Sequence, residues 1–542
     1  MHVEHKFAAA IAAVLLASLG PAMAGAEDVN ARRSDGSTPL QWAAFAGDVA
    51  EAKRLIAAGA EVRATNPYGV NAMLLAADIA NTELIQLLLK SGAEAASANS
   101  DGETALHLVA RAGNVAAAKL LLKAGAKVDA REKLGEQTPL MWAVARRHPA
   151  MVEFLLSHKA DVNARSAIRD YQRVATAESR SKQLDRGGFT PLLYAARENC
   201  RECTEILLRY GADVNLPDPS GVVPMVIAMT NGNFDIAKRL VEAGADVNQW
   251  DLYGQAPLHV AIASAGGGRG NPMDTDAPQK ATATELTQML IARGANPNQQ
   301  TYFRPAVRGG GGRGTTPFLV AVGTGNVELV KQLIAKGANV KLATAEGTGA
   351  IHAAVQSRGG GGGGAFGRGG FGGAAPAADA DNDGAEPGAP AAAGSRAPGG
   401  AAPAAARANP QIELLKLLVA EGADVNLMAR RHFLQRTRGG SPLHYAVRGS
   451  GNRQVIQELL NLGLNINAKD EDGLTALDYA MGRGYVPFLQ MAQPANKALA
   501  DFLRSLGANV ELDKIPDWPP QGPPIATAVY DSVIWPVDPV GP

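Results

Sequence analysis

The chain has 542 residues, too many for one ordinary core, and a globular reading predicts several domains. Lys+Arg and Asp+Glu both number 52, so the formal charge is zero, which argues against whole-protein attraction to nucleic acid or to an anionic membrane. Aromatics make up 5% of the chain while alanine and leucine are plentiful, a composition suited to helices packed through small residues.

The N terminus reads as an export signal. His2, His5 and Lys6 precede an apolar run of 13 residues, Phe7–Leu19, and Ala22-Met23-Ala24 forms an A-x-A cleavage site. Residues 1–24 are therefore expected to leave as a signal peptide, with a mature chain from Gly25. The run is shorter than the ~20 residues a spanning helix needs, and no second candidate follows, so no membrane span is expected. No cysteine lies near the cleavage site, so a lipid-anchored form is not expected. The style of the signal points to a bacterial periplasmic or secreted protein.

From Thr38 onward the chain repeats itself. "TPLQWAAFAGDVAEAKRLIAAGAEV" starts at Thr38, "TALHLVARAGNVAAAKLLLKAGAKV" at Thr104 and "TPFLVAVGTGNVELVKQLIAKGANV" at Thr316. The equivalent position recurs at 38, 71, 104, 138, 190, 223, 256, 316, 349, 441 and 475, most often at intervals of 33 or 34. Thr38 and its equivalents suit a helix N-cap, with proline following at the first helical position. The paired alanines allow two helices to approach closely, and runs such as Leu120-Leu121-Leu122 are expected to fill the layer between neighbouring repeats. Gly125, Gly211, Gly244 and Gly422 fall where a second helix must end in a left-handed turn.

A period of 33 carrying T-P-L-H, then A-A, then L-L-L-x-x-G-A-D-V-N resembles the ankyrin repeat. The resemblance covers about residues 30–513 in eleven copies. It implies an all-α repeat solenoid of helix-turn-helix units with β-hairpin or loop fingers, stabilised by stacking because no single repeat buries its own face.

Three intervals are long. Between Thr138 and Thr190 the spacing is 52 where 33 is the rule, and the surplus falls in the finger at about 165–185. Between Ala256 and Thr316 it is 60, which places one insert between the helices at 265–281 and a smaller one in the finger at about 302–313. Between Gly349 and Ser441 it is 92, with a few extra residues near 430–438 and the rest between the helices at 358–409. The resulting organisation is 1–24 signal peptide, 25–357 repeats one to nine (first part), 358–409 a disordered Gly/Ala/Pro-rich insert, 410–513 the remaining repeats, and 514–542 a Pro/aromatic-rich tail. The insert opens with "RGGGGGGAFGRGGFGG" at Arg358. No helix bearing Lys-Ser or Lys-Thr follows, as a phosphate loop requires, and four arginines balance four acids, so a linker is favoured over RNA binding.

Candidate chemistry is sparse. Of nine histidines, His107, His259, His352 and His444 occupy the H of T-P-L-H and are expected to bond the neighbouring finger backbone. His148, His158 and His432 sit in no catalytic or metal-ligand spacing. Cys200 and Cys203, the two cysteines, form a C-x-x-C at a helix N terminus. Export favours a disulfide, two buried thiols are the other bland reading, and redox chemistry is an alternative because a helix dipole lowers thiol pKa. Asp379, Asp381 and Asp383 match the first half of a calcium loop, but Pro390 stands where its last ligand belongs. No cofactor is expected, and the chain is not expected to be an enzyme.

Partner contacts are expected at finger-tip aromatics that packing does not demand, namely Tyr68, Trp250, Tyr253, Tyr302 and Phe303. Phe45, Arg111, Arg197 and Arg448 are expected to line the same groove from the inner helices. Position eight of the repeat is aromatic at Trp42, Trp142, Tyr194, Tyr445 and Tyr479, which is read as packing. Basic fingers (Arg169, Arg173, Arg180, Lys182 and Arg186; Arg430, Arg431, Arg436 and Arg438) leave a polyanion binder as a further alternative. The tail, with Trp518, Tyr530 and Trp535, either caps the last repeats or meets a partner. The resemblance implies a monomeric scaffold or adaptor that binds one or more proteins.

Overall fold

The computed structural model describes residues 28–169, 186–265, 279–302, 314–357, 409–432, 437–482, 485–486, 491–492 and 495–509. The signal segment, most of each insert, Phe303, the Asp379–Asp383 stretch and the tail lie outside them. The described residues hold 22 helices and group into two compact units, 28–169 with 186–219, and 220–509.

In the first unit, inner helices Pro39–Ala46, Ala72–Asp78, Ala105–Ala112, Pro139–Ala145 and Pro191–Glu198 alternate with outer helices Val49–Ala57, Thr82–Lys90, Val115–Lys123, Pro149–Ser157 and Arg201–Arg209. Each inner helix packs on the next inner helix and each outer helix on the next outer one. The second unit repeats the plan with inner helices Pro224–Thr230, Pro257–Ala265, Pro317–Thr324, Ala350–Gln356, Pro442–Arg448 and Ala476–Ala480. Its outer helices are Phe234–Glu242, Ala283–Ala292, Val327–Ala335, Pro410–Ala420, Arg453–Asn461 and Lys497–Ser505.

The local reasons are those the sequence suggests. Thr38, Thr138, Thr190 and Thr316 accept the N–H of Gln41, Met141, Leu193 and Leu319 at 3.1–3.4 Å, with proline at the first helical position. Asp48, Asn81, Asn114, Asn326 and Asn496 cap outer helices in the same way. Gly244, with φ of +95°, ends an outer helix in the left-handed region, where a side chain would be strained although nothing lies within 4 Å of the added carbon.

A recurring part of the core is a leucine at the same place in each outer helix. Leu55, Leu88, Leu121, Leu155 and Leu207 in the first unit, and Leu240, Leu290, Leu333, Leu418, Leu459 and Leu503 in the second, are all fully or almost fully buried. Each contributes roughly 1.5–3 kcal/mol. Of Leu120-Leu121-Leu122, only Leu121 is buried, which corrects the expectation that the whole run fills the layer. Successive residues of a helix point about 100° apart, so three in a row cannot share one face.

Strands are few. Ala429–His432 pairs antiparallel with Thr437–Gly440 where the last finger insert falls, and Tyr485–Val486 pairs with Met491–Ala492. The second pair sits between the two helices of the last repeat. It is an inter-helix insertion that sequence spacing missed, because no later repeat exists against which to measure an interval.

Candidate functional site

Two side-chain ladders hold the repeats in register. At His107, Nδ1 accepts the Thr104 N–H at 3.2 Å while Nε2 lies 3.0 Å from the Gln137 carbonyl of the next finger. His259, His352 and His444 do the same toward the carbonyls of Thr315, Gly440 and Leu474 at 3.0–3.1 Å. Accepting at Nδ1 requires the neutral ring with its proton on Nε2. Burial pushes His259 and His352 down to about 4 and lowers His107 and His444 as well. In the first repeat Gln41 takes this place: its Oε1 accepts the Thr38 N–H and its Nε2 donates to the Ala64 and Val70 carbonyls.

The second ladder was not anticipated. Asn248 Oδ1 accepts the Asn296 N–H at 2.7 Å and its Nδ2 donates to the Gly294 carbonyl at 3.1 Å. Asn298 treats Asn339 and Gly337 alike, and Asn426 treats Asn465 and Gly463 alike. The asparagine ending D-V-N at 248 and 426, and N-P-N at 298, was its sequence signal, since a terminal amide both donates and accepts.

Finger tips are tied backbone to backbone. The Ser100 N–H donates to the Tyr68 carbonyl and the Lys133 N–H to that of Asp101, at 2.9 and 2.7 Å. In the second unit Leu252 donates to Ser220 and Tyr302 to Tyr253, at 2.9 and 2.7 Å. Side chains on these tips stand on a fixed edge.

On its fingers the first unit exposes Tyr68 to 67%, and on its own fingers the second exposes Trp250 and Tyr302 to 47% and 50%. The Trp250 and Tyr302 rings meet edge to face at 5.6 Å, with Tyr253 half-buried beside them in the backbone ladder. Leu134 occupies the tip offset of Tyr68 and is equally exposed, and Leu252 is exposed beside Trp250. Sequence reasoning missed both because it searched for aromatics.

The arginines of the inner helices are engaged. Arg111 pairs with Asp78 and stacks on Trp142 at 5.5 Å. Arg197 pairs with Glu198 at 2.7 Å and lies over Tyr194 at 5.0 Å. Arg448 donates to the Gly439 carbonyl at 2.7 Å and lies over Tyr445 at 4.7 Å. Of the basic fingers, Arg169 donates to the Leu134 carbonyl at 3.0 Å, and Arg430 is exposed.

Phe45 is exposed, as expected for a groove residue, and Trp42 beside it is exposed rather than packed. Their rings meet at 5.8 Å. They form part of an open pocket of about 200 Å³ with Asp35, Ser37, Gln41, Asn66, Val70 and Leu75.

Cys200 and Cys203 form a disulfide and are 5% and 0% exposed. The Cys203 N–H donates to Cys200 Sγ at 3.3 Å, so sulfur stands where other outer helices carry Asn or Asp. The double change Cys200→Ala/Cys203→Ala is expected to lower stability by roughly 2 kcal/mol, from the lost closure and the lost cap. Cys200→Asn/Cys203→Ala is expected to recover part of it. Denaturant titration decides, and equal midpoints for the two variants would contradict the capping role.

Among the described residues no group of His, Cys, Asp and Glu is placed to hold a metal ion, and no helix is long and apolar enough to cross a membrane. The family model for ankyrin repeats (3 copies) matches residues 7–97, 73–166, 192–270 and 404–498, and that for a single ankyrin repeat matches 313–345. The chain is an ankyrin-repeat protein. Curated ankyrin repeat proteins similar to it include one of Acanthamoeba polyphaga mimivirus, 33% identical over 92 residues, 17% of this chain and 12% of that one. Another, of Fowlpox virus (strain NVSL), is 37% identical over 65 residues, 12% of this chain and 45% of that one. This ankyrin-repeat protein thus spans less than half the length of either relative. Among solved structures, the ankyrin repeat domain of Bcl-3 is 24% identical with a TM-score of 0.36, covering 47% of this chain and 99% of that one. The human ASB11 ankyrin repeat domain is 23% identical with a TM-score of 0.37, covering 47% and 98%.

Proposed function

We propose that this ankyrin-repeat protein is an exported, non-catalytic scaffold or adaptor that binds one or more proteins through its fingers and inner helices, acting as a monomer. Ankyrin repeats are in general protein-interaction modules. The observation that carries the reading is exposed aromatics on fingers locked by backbone bonds, Tyr68 in the first unit and Trp250 with Tyr302 in the second. Rigid aromatic anchors bind with little ordering loss, because their geometry is set before the partner arrives. The Cys200–Cys203 pair supports a structural role over redox turnover, since both sulfurs are buried and one caps a helix. Export rests on the apolar run and A-x-A site at residues 7–24.

The test is capture from bacterial periplasm and culture medium with tagged wild type beside a Tyr68→Ala/Trp250→Ala/Tyr253→Ala variant of equal thermal stability. Partners held by wild type are expected to be lost by the variant. Identical capture would remove the finger assignment. N-terminal sequencing of the exported chain is expected to begin at Gly25, and an intact Met1 would remove the export reading.

A further inference from the structure

We propose that the pocket beside Trp42 and Phe45 is a subsite for a single basic side chain of the bound partner, a guanidinium or an ammonium group. The inference rests on the partner-binding reading and adds the chemistry that one subsite recognises.

Size comes first. About 200 Å³ is below the ~300–1,000 Å³ of small-molecule and cofactor sites. It suits one long side chain.

Composition comes next. The lining holds one carboxylate, Asp35, two aromatic rings, and no lysine or arginine. Trp42 and Phe45, both exposed, offer ring faces, and such faces attract cations through the ring quadrupole. That Trp42 takes a cation in this setting is already visible: the Arg33 guanidinium lies 4.5 Å from its ring centroid.

The polar groups then narrow the choice of ligand. Gln41 spends Oε1 on the Thr38 N–H and Nε2 on the Ala64 and Val70 carbonyls. Asn66 Oδ1 is occupied by the N–H groups of Tyr68 and Val70. Asp35 is different. The Trp42 Nε1–H donates to Ser37 Oγ at 3.1 Å, the Ser37 hydroxyl donates to Asp35 Oδ1, and the Ser37 N–H donates to the same oxygen at 3.0 Å. This relay fixes the carboxylate against the indole through one oxygen and leaves Oδ2 for a cation. The Ser37 hydrogen bonds also hold the Asp35 carboxyl below its ordinary range, so it is charged at neutral pH. An anionic side chain would meet Asp35, and a neutral one would gain neither an ion pair with the carboxylate, which Arg33 also influences, nor a cation–π contact with the rings. A cation answers both carboxylate and rings.

The experiment uses the full chain labelled with fluorotryptophan, with the Trp42 signal assigned by Trp42→Phe. Blocked tripeptides Gly-Arg-Gly and Gly-Lys-Gly are titrated beside the neutral citrulline analogue, and fluorine NMR follows Trp42. A saturable shift with the Arg or the Lys peptide is expected, weaker by about fivefold or more with citrulline, as loss of an ion pair and a cation–π contact implies. Asp35→Asn is expected to bring the charged peptides down to the citrulline level with unchanged thermal unfolding. The stronger of the Arg and Lys peptides names the head group. Equal binding of charged and neutral peptides, no saturable shift, or full binding by Asp35→Asn overturns the proposal. None of these outcomes touches the capture experiment, which rests on Tyr68, Trp250 and Tyr253 outside the pocket.

Discussion

Lowering the pH from 7 to 5 destabilises the second unit by about 4 kcal/mol, as an expected result of two neutral histidines at repeat junctions. Both His259 and His352 are pushed down to about 4 by burial, against 6.5 for a free ring. The unfolded chain therefore binds protons first as pH falls. The stabilisation is complete above 6.5 and is lost as pH drops toward 4. Each site loses about 2 kcal/mol by pH 5 and about 3 by pH 4. His444 adds in the same direction. The first unit has one such histidine, His107, so it is expected to outlast the second in acid. Gln41 supplies the control, since it makes the cap and the cross-finger bonds without a titratable ring. His259→Gln/His352→Gln is expected to remain folded at pH 7 and to lose most of the slope between pH 7 and 5. Thermal melts followed by circular dichroism across that range provide the measurement. An unchanged slope in the double variant would assign the acid sensitivity to other groups.

Replacing Tyr479 by alanine is the second large effect, expected to cost about 4 kcal/mol. The ring is completely buried, meets His444 edge to face at 5.8 Å and lies under Arg448 at 5.1 Å. Its hydroxyl donates to Asp470 Oδ2 at 2.6 Å, and Asp470 Oδ1 accepts the Leu474 and Asp472 N–H groups of the last finger. Truncation removes both the packing and one bond to a buried carboxylate. Tyr479→Phe keeps the ring and is expected to cost about 1.5–3 kcal/mol, so the pair separates the two parts. Repeat proteins couple through nearest neighbours, so hydrogen exchange is expected to rise across 437–509 and stay unchanged in the first unit. A uniform rise throughout would contradict that local coupling.

Much of the fold was legible because each repeat carries its own punctuation. Thr138 and Pro139 open a helix, Gly125 and Gly244 close one, and these signals act over four residues whatever lies around them. The histidine role was legible for a related reason: recurrence at one offset, in His107, His259, His352 and His444, marks a shared neighbour. Of the candidate site, sequence could name residues but not their surroundings: Tyr68, Trp250, Tyr302 and Phe45 are exposed, whereas Arg111, Arg197 and Arg448 have pairing and stacking partners that their helix positions did not reveal.

Position eight shows where sequence reasoning ends. Trp42 and Tyr479 share one offset and one residue class, yet Trp42 lines an open pocket and Tyr479 is sealed on a carboxylate. Burial depends on which groups cover a ring, and these come from the neighbouring repeat, as His444 and Arg448 do for Tyr479, or from the finger, as Asp470 does. Sequence alone determined the period, the caps, the helix pairs and the family, because these follow from short-range backbone chemistry repeated many times. Tertiary structure alone decided which aromatics stay open, which arginines are engaged, that sulfur caps a helix, and that Asp35 is fixed beside an indole. Each of these requires a side chain to meet another group in space, and periodicity specifies a position along the chain without naming what will face it.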